Sequence, residues 1–163
     1  MPIVYLSLGS NLGDRDRNLQ CALETLEGPP LHITRISSLY RTVPVGETEQ
    51  PVPDYLNCVV EAETSLPPDA LLDYTQAAER RCGRTPTFRW GPRAIDIDIV
   101  WYDGIAVETD RLTIPHRHAK ERAFVLVPIA ELAPHLDFGG GVTVSDLLRT
   151  DDIANQQVLQ LTN

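Results

Sequence analysis

The stretch RWGPRAIDIDIV, residues 89–100, constrains the fold more than any other part of the chain. Ile95, Ile97 and Ile99 alternate with Asp96 and Asp98, and Val100 and Trp101 follow. A period of two marks a β-strand with one apolar face. Aspartate is depleted in strands, and residues at i and i+2 project from the same side, about 7 Å apart. A strand that holds two carboxylates side by side has a use for them, and its isoleucine face needs a cover from elsewhere in the chain.

At 163 residues the chain is expected to form one domain, 1–163, with a proper core. No run of 18 apolar residues occurs, so no membrane span is expected. The opening MPIVYLSLGSNLGDR lacks a basic n-region and an apolar h-region, and reads as a first strand rather than a signal peptide. A net charge of −9 argues against nucleic acid as a partner. The basic residues are unusual in kind: Lys120 is the single lysine among 14. Arg80, Arg81, Arg84, Arg89 and Arg93 cluster together, which in an acidic protein suggests a local anionic ligand. Cys21, Cys58 and Cys82 are scattered without a CxxC spacing, so neither a disulfide framework nor a zinc site is indicated. They read as small buried hydrophobes in a reducing, cytoplasmic compartment.

Other segments supply the cover. Residues 2–9 read as a buried strand, and Leu19, Ala22, Leu23 and Leu26 give a helix over about 15–27 an apolar face, stopped by Gly28, Pro29 and Pro30. Residues 32–42 and 54–64 alternate as second and third strands, with a Pro-, Gly- and Glu-rich connection between them that reads as a lid. Residues 66–83 form a second helix, with Pro near its start, Asp69 as a candidate cap and Gly83 at its end. After the acidic strand come a short extended segment in GIAVETDRLTIP, a mostly helical stretch in AKERAFVLVPIAELAP, and a short last helix in TVSDLLRT. The order β, α, β, β, α, β is the ferredoxin-like α+β pattern: an antiparallel sheet with helices packed on one face, plus C-terminal helical additions, and the remaining face and the loops are where a site could sit.

Asp96 and Asp98, without Cys or His nearby, favour Mg²⁺. One or two ions there would relieve the carboxylate repulsion and could clamp a transferring phosphoryl group. Arg84 and Arg93 sit just upstream, and the guanidinium fork suits phosphate oxygens. No Walker A motif is present, so a nucleotide would be gripped by side chains and metal. The turn GSNLG could offer backbone N–H groups at a helix start. In PHRHAKER, His116 together with Arg117 and Arg122 fits phosphate contact better than metal binding. Tyr55 and Phe124 are candidates to stack on a flat ring.

GSNLGDR, YRTVPVG, PDYLNCVV and RWGPRAIDIDI, in this order, resemble the 6-hydroxymethyl-7,8-dihydropterin pyrophosphokinase family, and RLTIPH and RAFVLVPIAELAP follow in the expected places. The likeness covers about residues 2–137. The resemblance implies a ferredoxin-like fold and transfer of pyrophosphate from ATP to the pterin hydroxymethyl group, leaving AMP, within folate biosynthesis. It implies two Mg²⁺ ions on Asp96 and Asp98, with Arg84 and Arg93 as further catalytic residues. Tyr55 and Phe124 would sandwich the pterin, and Asn57, Thr42 and the backbone near Val43 and Val45 would bind its edge. ATP would lie near Gln76, Glu79, Arg84, Trp90, Arg93, Ile99, Arg111, Thr113, His116, Arg117 and Arg122. Segments 43–53 and 84–92 would act as lids, and the enzyme is expected to be a monomer acting on small molecules. Where the family often has a second arginine after the one at Arg84, this chain has Pro86. Where an aromatic would follow His116 it has Arg117, and either Arg117 or Arg89 is expected to supply the substitute charge.

Two other readings stay open at this point. One is a Mg²⁺-dependent phosphotransferase or hydrolase acting on another nucleotide, which would release ADP or phosphate. The other is a catalytically silent ferredoxin-like module that binds a nucleotide or a protein, since the fold alone decides no function.

Overall fold

The computed structural model describes residues 1–42, 54–83, 93–156 and 158–161. Strand β1 (Ile3–Ser10) leads into helix α1 (Arg15–Leu26), followed by β2 (Leu31–Ile36), β3 (Tyr40–Thr42), β4 (Tyr55–Thr64), α2 (Pro68–Arg81) and β5 (Asp96–Tyr102). Next come a small hairpin of β6 (Val107–Glu108) and β7 (Thr113–Ile114), a 3-10 turn (Ala119–Glu121), α3 (Ala123–Leu132), α4 (Val144–Leu148), α5 (Asp151–Ala154) and β8 (Val158–Gln160). The main sheet runs β5-β1-β4-β3-β8, with β2 also on β4 and every pairing antiparallel. This is the expected ferredoxin-like order, with the predicted second strand broken in two. Ser37 makes the break: its hydroxyl, not a strand carbonyl, accepts Val59 N–H at 2.9 Å.

Two cores flank the sheet. Leu19, Ala22 and Leu26 of α1 and Leu71 and Ala78 of α2 pack on Val4, Leu6, Leu8, Ile97 and Ile99. The isoleucine face of β5 thus finds its cover in both helices. Asp14 caps α1, accepting Arg17 N–H at 3.1 Å. Asp69 is not the cap of α2: Pro67 holds that place, and Asp69 sits inside the first turn, where its charge complements the helix dipole. On the opposite face, α3 and α4 bury Tyr5, Val59 and Val100 together with Leu126, Ile129 and Val144. Helices therefore cover both faces, the second only in part.

Two further findings depart from the sequence reading. Cys21 of α1 and Cys82 at the end of α2 form a disulfide, their Cα atoms 5.9 Å apart, while Cys58 is the buried free thiol. The pair is 61 residues apart in sequence and meets only because α1 packs beside α2. TVSDLLRT is not the last element either: α5 and β8 follow, and β8 covers the edge of β3, pairing Tyr40 with Gln160 and Thr42 with Val158. Among the described residues no helix is long and apolar enough to cross a membrane.

Candidate active site

The half of the second sheet face that α3 leaves open is the floor of the site. On β1, Tyr5 lies under α3, whereas Ser7 and Gly9 line the cavity. On β4, Val59 is covered, whereas Asn57 and Tyr55 line the cavity; on β5, Val100 is covered, whereas Asp98 and Asp96 line it. Register sets these residues in rows, Asp96–Gly9–Asn57 and Asp98–Ser7–Val59. Thr42, Arg93, His116, His118, Arg122 and Phe124 complete a cavity of about 240 Å³.

A β-bulge adjusts the acidic strand. Leu6 pairs with Ile99 and Tyr5 with Trp101, so Val100 is the extra residue. It keeps Asp96, Asp98 and Val100 on the cavity side while Tyr102 returns to the first core. The Val100 carbonyl is thereby free to accept His116 N–H at 2.9 Å, which brings that histidine to the cavity rim. His118 N–H donates to His116 Nδ1 at 3.2 Å. With Nδ1 an acceptor, the ring proton belongs on Nε2. Burial first, and the neighbouring Arg122 charge second, hold this imidazole down at about 4, so it is neutral near pH 7.

The arginines have matching surroundings. Arg93 N–H donates to Asn11 Oδ1 at 2.7 Å, and Asn11 N–H donates to the Arg93 carbonyl at 3.0 Å. The GSN turn is therefore an anchor for Arg93, and its Asn11 was read in the sequence only as a turn residue. Arg93 Nη1 lies 3.5 Å from Asp96 Oδ1, and Arg93 Nε is buried without a hydrogen-bond partner among the described residues. A buried donor in that state suits an incoming anion. Arg122 sits 5.5 Å from the centre of the Phe124 ring. Asn57 is buried, and its Nδ2 donates to Thr42 Oγ1 at 2.6 Å, which leaves Oδ1 to face the cavity floor at Gly9.

Comparison with known proteins now bears on the arrangement. The family model of 7,8-dihydro-6-hydroxymethylpterin-pyrophosphokinase matches residues 5–134. The chain belongs to that family. A 2-amino-4-hydroxy-6-hydroxymethyldihydropteridine pyrophosphokinase of Methylorubrum extorquens is 43% identical over 97% of this chain and 99% of its own. One of Bacillus subtilis is 43% identical over 83% of this chain and 80% of its own. A solved HPPK-DHPS chain in complex with substrates shares the fold over 90% of this chain, with a TM-score of 0.69 at 14% identity, and this chain spans 44% of it.

The pyrophosphokinase pattern is brought together in part. Thr42, Tyr55, Asn57, Arg93, Asp96, Asp98, His116, Arg122 and Phe124 all line one cavity. Gln76, Glu79, Ile99, Arg111, Thr113 and Arg117 do not line it. Gln76 is exposed on α2, and Arg111 pairs with Asp73 of that helix at 2.6 Å, so these residues lie along α2 and the β6–β7 hairpin, beside the outer edge of β5. The Ile99 side chain belongs to the first core, and Glu79 Oε2 accepts Ile97 N–H at 2.8 Å. Val43, Val45, Arg84, Pro86, Arg89 and Trp90, with both proposed lids, lie outside the described residues.

Proposed function

We propose that this chain transfers the terminal diphosphate of ATP to the hydroxymethyl oxygen of 6-hydroxymethyl-7,8-dihydropterin, releasing AMP, as a step of folate synthesis. The observation that carries this reading is that stacking rings, an amide edge, two carboxylates and cationic or donor side chains line a single cavity. A flat ring between Tyr55 and Phe124 would meet the Asn57 amide at its edge, where Oδ1 can accept and the Nδ2 hydrogen not given to Thr42 can donate. In the reaction a bond forms from the hydroxymethyl oxygen to the β-phosphorus. The β-phosphorus bond to the α,β-bridging oxygen breaks, AMP keeps the electron pair, and the hydroxyl proton passes to solvent.

Charge develops on phosphate oxygens in such a transfer, and preorganised donors aimed there lower the barrier most. Arg93, Arg122 and the neutral Nε2–H of His116 are these donors. Asp96 and Asp98 would hold two Mg²⁺ ions. The donor set fits: both residues offer carboxylate oxygens and line the same cavity from one face of β5. Mg²⁺ prefers one or two carboxylates with substrate phosphates and water completing its shell. When bound, it would supply positive charge to offset that of the transferring phosphates. Gln76, Arg111, Thr113 and Arg117 would serve the nucleoside end. The proposal includes a monomeric enzyme acting in the cytoplasm, where ATP is available.

The test is a product assay with ATP, Mg²⁺ and 6-hydroxymethyl-7,8-dihydropterin, separating AMP from ADP. AMP formed only with the pterin, and lost with EDTA, is expected. ADP instead would replace the reading with an ordinary kinase or hydrolase, and absence of turnover by folded protein would leave a binding module.

A further inference from the structure

Strand β5 is an outer strand of the main sheet and, among the described residues, pairs only with β1. Among the described residues no strand receives the N–H groups on its outward side, and a buried N–H needs an acceptor. Ile97 N–H finds one in Glu79 Oε2 of α2, at 2.8 Å in buried surroundings. Glu79 is 6% exposed, an uncommon place for a carboxylate. Ile97 is the residue between Asp96 and Asp98. Its side chain is sunk in the first core while the two aspartates project into the cavity on the opposite face. Glu79 neither lines that cavity nor joins the two aspartates in a three-residue metal group. An ionised carboxylate can only accept, and a charge-assisted bond to a backbone N–H is a firm one.

We propose that Glu79 is a positioning residue, clasping the outer edge of β5 at Ile97 so that Asp96 and Asp98 keep the spacing and direction a divalent cation needs. This rests on the assignment of the two aspartates as metal holders. Glutamine reaches as far and keeps an acceptor oxygen, alanine keeps none, and aspartate keeps the charge but falls one methylene short.

The experiment has two readouts on E79A, E79Q, E79D and D98N. Amide exchange at Ile97 is followed by NMR in the ligand-free protein. Mn²⁺ binding is titrated by EPR with α,β-methylene-ATP present. In E79A, Ile97 exchange should quicken and Mn²⁺ affinity should fall about 10-fold or more, the range for loss of a partner behind a metal ligand. E79Q should stay near the parent protein in both readouts, and E79D should follow E79A, deciding the matter if E79A does not fold. Unchanged Ile97 exchange in E79A, or faster exchange with unchanged Mn²⁺ affinity, would overturn the clasp. So would an E79Q protein that keeps Ile97 protected yet loses Mn²⁺ affinity, because charge would then be the role. If D98N itself binds Mn²⁺ normally, the metal assignment fails and the clasp's purpose with it.

Discussion

A methyl group built on Gly9 would lie 2.7 Å from Oδ1 of Asn57 and 3.1 Å from the Tyr55 ring. Gly9 stands between Asn57 and Asp96 in the sheet, so bare backbone lets the amide and the ring settle onto the floor of the cavity. Asn57 has little room to retreat, being buried and tied to Thr42 Oγ1 at 2.6 Å. Gly9→Ala should therefore displace the pair and cost about 1–3 kcal/mol, the usual range for overpacking. Calorimetric titration should show weaker pterin binding, with ATP binding far less affected. Unchanged pterin affinity would separate Asn57 from the substrate edge.

Asp98→Ala removes one of the two cavity carboxylates while its strand neighbours Ile97 and Ile99 stay in the first core. If the pair stabilises charge in phosphoryl transfer, turnover should fall at least ~10²-fold, as for loss of one transition-state stabiliser. Steady-state rates at saturating Mg²⁺ test this, and a near-parental value would refute the metal assignment.

Phe124→Ala strips one wall from the ring site and the surface on which Arg122 rests, 5.5 Å from the ring centre. Stacking on a heterocycle contributes about 1–3 kcal/mol, so the pterin Kd should rise roughly 5- to 150-fold. The ATP Kd should rise less. Equal losses in separate titrations of the two ligands would contradict a sandwich formed with Tyr55.

The alternation in AIDIDIV was enough to put the aspartates on one face and the isoleucines on the other, because a strand's period is a local property. Tyr55, Asn57 and Phe124 were legible through the family resemblance. Gly9, Asn11 and Glu79 took their roles from tertiary neighbours. Gly9 makes a close cross-strand approach, Asn11 accepts from Arg93 N–H, and Glu79 accepts from Ile97 N–H of β5. The Val100 bulge was equally hidden, since it depends on how β5 pairs with β1. The Cys21–Cys82 bond went unread because no local spacing signals it. A glycine opposite a buried amide, and a glutamate near the end of a helix that precedes an edge strand, are the signals that could have been weighed.

His116 offers a test that combines proton position and stability. Its Nδ1 accepts the His118 N–H, leaving Nε2–H to donate, so His116→Gln, with an amide near the Nε2 position, should retain more activity than His116→Asn, which mimics Nδ1. Nitrogen-detected NMR of the ligand-free protein should find a neutral Nε2–H ring at pH 7. Burial and Arg122 lower its folded pKa to about 4 from the ordinary 6.5. The unfolded chain therefore takes up the proton first, and native stability falls as pH drops from 6.5 to about 4, then levels off for this group. His116→Gln lacks that loss, so urea denaturation at pH 7 and pH 4.5 should show the variant gaining on the parent protein in acid. A ring that titrates near 6.5, or a stability difference that does not move between those pH values, would count against the neutral donor.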